Sequence, residues 1–208
     1  NFPNCLPTLN MMNTKYIITG NMASDTIPNP DALGNAWFVK DIKWVNNADE
    51  EMAALNAASI TDPTKVVPNA FVAKQTAVIR KSFQSAIGNA PATIDSTASI
   101  RLNKYGLDEI SFIYTAAQDG GVAVFSDIYY PLGWKAFIDG KEVPIVKANY
   151  VLRALRLPKG TNKIISFQFN PETFAFGNKF ALLGSALFYL LLAACVYFIF
   201  KKETPTTK

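Results

Sequence analysis

Histidine is absent from all 208 residues. Without an imidazole the chain cannot build a Ser-His-Asp triad, a Cys-His dyad, an HExxH zinc site or an ordinary proton shuttle. Cysteine is nearly as scarce, with only Cys5 and Cys195, and the second lies inside a long apolar run. That usage rules out a disulfide scaffold and implies neither a metal site nor a cofactor. Phosphate loops are also missing: Gly120-Gly121 is not followed by helix, lysine and hydroxyl in the required order. The formal charge of +4 is misleading, because Lys179, Lys201, Lys202 and Lys208 against Glu203 supply three of the four. The remainder carries no basic footprint, which excludes nucleic acid as a partner. The opening residues, NFPNCLPTLNMMNTKY, lack an initiator Met, a basic n-region and an apolar h-region, so they are no signal peptide.

What the sequence does have is FALLGSALFYLLLAACVYFIF, from Phe180 to Phe200, without a charge, Pro or amide. As a helix these residues span roughly 30 Å, the thickness of a bilayer's hydrocarbon core. Lys179 precedes the run and Lys201 and Lys202 follow it. A core helix of a soluble domain would show a polar face, and none is visible. Gly184, Ser185 and Ala186 would let a neighbouring helix approach closely. A transmembrane helix is therefore expected over 179–202, with a short basic tail, 203–208. The positive-inside rule puts that tail in the cytoplasm and the main domain outside. A translocated domain needs a translocating segment, so the chain reads as the C-terminal part of a longer protein with earlier spans. A tail-anchored protein with a cytoplasmic domain is the alternative.

Two kinds of pattern precede the run. Residues 1–90 read as a small α/β unit. Lys15–Thr19 and Ala36–Val45 have strand character, and Phe38, Ile42 and Trp44 share one face. Asn47 and Glu50 form a capping-box pair for a helix whose apolar stripe is Ala48, Met52 and Leu55, ending near Ser59. A further strand is expected over Thr76–Arg80. Residues 91–172 read as an antiparallel β-sandwich, from short alternating runs separated by turns. Asp139-Gly140 is the strongest hairpin signal and sets the register Ile138 to Lys141, Ala136 to Val143 and Trp134 to Ile145. Pro144 marks an edge strand. A last hairpin is expected between Tyr150–Leu157 and Lys163–Asn170, followed by a linker at 173–178. The fold class is thus mainly β, α+β overall, with one C-terminal transmembrane helix.

No catalytic residue is assigned. Paired carboxylates suit glycoside hydrolysis, but Asp108, Glu109, Asp139 and Glu142 sit in turns or on strand faces, where solvation accounts for them. Asp127 differs, standing between Phe125 and the aromatic pair Tyr129-Tyr130. Arg153 and Arg156 interrupt an otherwise apolar strand, and arginine suits bidentate phosphate or carboxylate recognition. An Asp127–Arg153 pair bracing the sandwich is the reading favoured over a ligand contact, since an unpaired charge in apolar company is expensive. Tyr129, Tyr130 and Trp134 either stack on a sugar, sit at the headgroup level, or serve as core and rim aromatics.

Phe125 to Phe169 carries the blocks SDIYYPLGW, IDGKEVP, NYVLRAL and LPKG in order. With LNMMNTKYIIT, GNAWFV and NADEEMAAL upstream, they resemble the C-terminal outer domain of the YfhO family of bacterial membrane proteins. Family members often have Glu at the position of Asp127 and His at that of Asn162. The resemblance implies a multi-spanning glycosyltransferase that uses polyprenyl-phosphate sugars to decorate envelope glycans, located in the bacterial inner membrane. Its catalytic acid would belong to an early outer loop, outside these residues. The implied partners are the lipid bilayer, an upstream transmembrane bundle, a polyprenyl-phosphate sugar and an envelope glycan. Candidate ligand- or membrane-facing residues are Asp127, Tyr129, Tyr130, Trp134, Asn149 and Arg153. An anchored, non-catalytic carbohydrate- or protein-binding module and a purely structural lid are the competing readings.

Overall fold

The structure, a computed structural model, describes residues 6–22, 25–55, 71–88 and 97–201. Two compact units emerge, Asn1–Phe169 and Asn170–Lys208.

The first unit begins with α1 (Leu6–Met11) and a small hairpin of β1 (Tyr16–Ile18) and β2 (Thr26–Pro28). The expected single strand over Ala36–Val45 is two, β3 (Ala36–Val39) and β4 (Asp41–Val45), broken at Lys40. Next come α2 (Ala48–Leu55), β5 (Thr76–Arg80), a 3-10 turn over Lys81–Phe83 and α3 (Gln84–Ile87). Eight strands complete the unit: β6 (Ser99–Tyr105), β7 (Glu109–Ala116), β8 (Gly121–Ile128), β9 (Trp134–Ile138), β10 (Lys141–Val143), β11 (Val146–Ala148), β12 (Leu152–Leu157) and β13 (Gly160–Phe169).

These strands form a five-stranded sheet, β10-β9-β13-β7-β6, and a six-stranded sheet, β3-β8-β12-β11-β5-β4. The first is antiparallel throughout, and the second contains one parallel pair, β4 with β5, whose crossover includes α2. The boundary read near residue 90 is therefore corrected, because β3, β4 and β5 share a sheet with β8, β11 and β12. Local alternation reports which face of a strand is buried, not which strand lies beside it. The β-sandwich expected from the sequence is present, with N-terminal strands built into one of its layers.

The six-stranded sheet curls. Its two edges, β3 and β4, are separated in the chain by Lys40 alone. A flat sheet of that width would hold its edges about 24 Å apart, and two Cα steps cover under about 8 Å. One apolar cluster draws on all six strands, including Trp37, Val45, Val78, Val124, Val146 and Leu152, and so fills the inside of the curl. Met11, Ala54 and Ile87 from the three helices join it. A second cluster lies between the sheets, where Phe112, Phe125 and Phe167 meet edge-to-face with centroids 4.9–6.1 Å apart.

Local chemistry accounts for the elements. The Glu50 N–H donates to Asn47 Oδ1 at 2.9 Å, and the Glu50 carboxylate accepts the Asn46 N–H at 2.8 Å, closing the cap one residue earlier than a standard box. Of the expected α2 stripe, Leu55 packs against the core but Met52 is exposed, and Glu51 and Ala54 are buried instead. Asp139 and Gly140 both have positive φ, 47° and 82°, and the register is Ile138 to Lys141 and Ala136 to Val143. Pairing stops there, short of Ile145, because Pro144 ends the edge strand β10. The expected last hairpin is not one. β12 lies between β8 and β11, β13 lies between β7 and β9, and Pro158-Lys159 carries the chain from one sheet to the other.

In the second unit, α4 runs from Glu172 to Lys201, so the expected linker at 173–178 is helical. Pro171 supplies a helix-compatible φ just ahead of the first turn, and no proline follows it before Lys201. The stretch Phe176–Lys201 is long and apolar enough to cross a membrane, with mean hydropathy 2.3. Lys202 and the tail lie outside the described residues.

Candidate functional site

Three of the six candidate residues meet at one end of the sandwich. Arg153 is on β12, on the face that turns Leu155 and Leu157 into the inter-sheet cluster, and is only 5% exposed. Its Nε donates to the Ile128 carbonyl at 2.9 Å. The guanidinium lies over Trp134, 4.3 Å from the ring centroid, and 5.4 Å from that of Phe167. Its Nη1 is buried without a hydrogen-bond partner among the described residues. Asp127 follows Phe125 on the same face of β8 and accepts the Tyr105 hydroxyl at 3.0 Å.

Asp127 and Arg153 do not reach ion-pair distance, which corrects the expected brace. The β8–β12 ladder shifts register between Leu152 and Arg153, setting Arg153 opposite Phe125. Arginine thus finds a backbone carbonyl and two aromatic faces, while the carboxylate finds a phenol. The two still feel each other. Burial pushes the Arg153 pKa down, partly offset by the charge of Asp127 and by Tyr105. The charge of Asp127, with burial and the shared hydrogen bond, pushes the Tyr105 phenol up.

The other candidates are elsewhere. Tyr130 is exposed. Tyr129 packs edge-on to Phe83, with centroids 6.1 Å apart. Asn149 is fully buried in a left-handed conformation, φ 49°. Its Oδ1 accepts the Val78 N–H at 2.8 Å and its own N–H donates to the Val78 carbonyl at 2.8 Å. Asn149 therefore stands in for a missing residue of the β5–β11 ladder, while its Nδ2 is buried without a hydrogen-bond partner among the described residues.

Sequence reasoning missed the partners Tyr105 and Phe167, which come from strands remote in the chain. It also missed the buried Glu51, whose Oε2 pairs with Arg80 Nε at 2.7 Å while Oε1 accepts the Tyr150 N–H at 2.7 Å. Asn149 and Tyr150, with consecutive positive φ values of 49° and 70°, form the turn that presents this N–H to Glu51.

A separate cleft of about 330 Å³ is lined by Asn10, Asp31, Leu33, Phe71 and Lys74, among others, and shares no residue with the Arg153 cluster. Among the described residues, no three His, Cys, Asp or Glu side chains are grouped to hold a metal.

The cluster around Arg153 lies wholly within residues 89–179, which match the sequence model of the bacterial membrane protein YfhO. Over these residues the chain is similar to the YfhO family. No curated protein and no solved structure matches the chain. The YfhO match covers β6 to β13 and continues into α4. The upstream blocks at Leu9–Thr19, Gly34–Val39 and Asn47–Leu55 lie outside it.

Proposed function

We propose that this chain is the extracytoplasmic accessory domain and one membrane span of a YfhO-like protein. In this reading the whole protein transfers a sugar from a polyprenyl-phosphate carrier to a cell-envelope polymer, and its upstream bundle supplies the catalytic acid. The match over residues 89–179 carries the proposal, supported by a helix with the length and hydropathy of a span. A domain without histidine, whose buried charges are engaged in packing, suits an accessory role better than turnover. The test is to delete the reading frame and analyse the envelope glycans. Loss of one sugar substituent, restored by the full reading frame and not by residues 1–178 alone, is expected. Unchanged glycans would overturn it.

The cleft beside Asn10, Asp31 and Lys74 favours a second reading, an anchored carbohydrate- or protein-binding module. Glycan binding by the protein that Lys74→Ala weakens would support it.

A further inference from the structure

The two ends of the sandwich differ in chemistry. At one end, the loops carry Asp119-Gly120, Asp139-Gly140 and Pro158-Lys159; Lys159 N–H donates to Asp119 Oδ1, and Lys163 pairs with Asp139. At the other, the β6–β7 loop is Gly106-Leu107-Asp108 and the β8–β9 loop is Tyr129-Tyr130-Pro131-Leu132-Gly133. Phe169, the last residue of β13, belongs to this second end, since its N–H donates to the Asp108 carbonyl and it pairs with Trp134. Leu107 is 99% exposed and Leu132 68%, and Tyr105, Ile128 and Tyr130 are exposed beside them. Water-facing loop tips rarely gather large apolar side chains, so a patch of this kind marks an interaction surface.

Chain length says what covers it. Only Asn170 and Pro171 separate Phe169 from α4, and the apolar stretch begins at Phe176. Three Cα steps span at most about 11 Å. Four helical residues add about 6 Å. Phe169, at the aromatic end, is therefore joined to the apolar stretch by no more than about 17 Å of chain, while the charged end is a full strand length further along the chain.

We propose that the Leu107 and Leu132 loops insert into the outer lipid interface, with Tyr130 at the headgroup level. Resting on the reading that α4 spans the membrane, the proposal makes the bilayer the partner of this end of the domain. Tyrosine is suited to that depth because its ring is apolar and its hydroxyl is wet. Asp108, beside Leu107, limits insertion to the boundary between headgroups and acyl chains.

The test uses the full chain with Cys5→Ser and Cys195→Ala, reconstituted in phosphatidylethanolamine/phosphatidylglycerol nanodiscs. Single spin labels are placed by Leu107→Cys, Leu132→Cys, Lys159→Cys and Leu190→Cys. Collisions with oxygen, which partitions into lipid, are compared with those of a water-soluble nickel chelate. The oxygen-to-nickel ratio at 107 and 132 is expected to exceed that at 159 at least twofold, with the ratio at 190 the highest. Ratios at 107 and 132 equal to that at 159 would overturn the proposal while 190 still reports the span. Shielding of 107 and 132 from both reagents would also overturn it, pointing to a protein contact. Nickel access at 190 would remove the span, and the proposal with it.

Discussion

The carboxylate of Glu51 accepts the backbone N–H of Tyr150 at 2.7 Å, joining α2 to a turn 99 residues further along the chain. The same carboxylate pairs with Arg80, so one buried group ties the crossover helix, a parallel strand and a left-handed turn together.

Removing that carboxylate leaves the Tyr150 N–H unpaired and Arg80 without its partner. Arg80 keeps some contact with water, which moderates the penalty expected for a fully buried pair. Glu51→Ala should destabilise the domain by about 2 kcal/mol, and Glu51→Gln by less, because an amide oxygen still accepts from Tyr150. Denaturant midpoints of the chain in detergent check the order.

Arg153 has no carboxylate in contact, so its replacement forfeits one carbonyl hydrogen bond and its contact with Trp134, and recovers a desolvation cost. Arg153→Met should therefore shift stability by no more than about 1 kcal/mol. Coupling with Asp127→Asn in a double-mutant cycle should stay under about 0.5 kcal/mol. A coupling several times larger would restore the ion-pair brace.

Burial pushes the Tyr114 phenol up to about 12, with Asp139 and Asp119 adding to it, while its hydroxyl donates to the Pro158 carbonyl. Above pH 10 the unfolded chain loses this proton and the folded chain keeps it, so the folded state binds more protons and stability falls as pH rises from about 10 to about 12. Unfolding midpoints measured across that range should decline more steeply for the natural chain than for Tyr114→Phe.

Gly140 and Gly88 have similar φ values, 82° and 74°, yet different surroundings. A Cβ at Gly140 meets open space, whereas one at Gly88 collides with Arg156, whose Nη1 donates to the Ile87 carbonyl at 2.8 Å. Gly140→Ala should cost about 1 kcal/mol from the left-handed conformation alone. Gly88→Ala should cost about 2 kcal/mol more, because φ 74° with ψ −177° is a conformation confined to glycine and because a hydrogen bond is displaced. Thermal melts of the two variants, and of Gly88→Ala in an Arg156→Ala background, separate the contributions.

We propose a cytoplasmic C-terminus from the lysines that end the apolar run. A phosphatase reporter fused after Lys208 should be inactive and a cytoplasmic fluorescent reporter active. The opposite pattern would place the sandwich inside the cell.

The sequence by itself determined whatever depends on neighbours along the chain. Alternation marked β6 and β7, Asp139-Gly140 defined its hairpin and register, Asn47 and Glu50 began α2, and an uncharged run long enough for a bilayer stood out without any partner. These are short-range rules, complete within a few residues. Tertiary structure decided the rest. Lys40 breaks one apparent strand because its halves serve opposite edges of a curled sheet, and β12 and β13 part because each has better partners elsewhere. Arg153 lies between Trp134 and Phe167 because a register shift of two residues carried it past Asp127. Such choices depend on which strands lie side by side, and no local pattern encodes that.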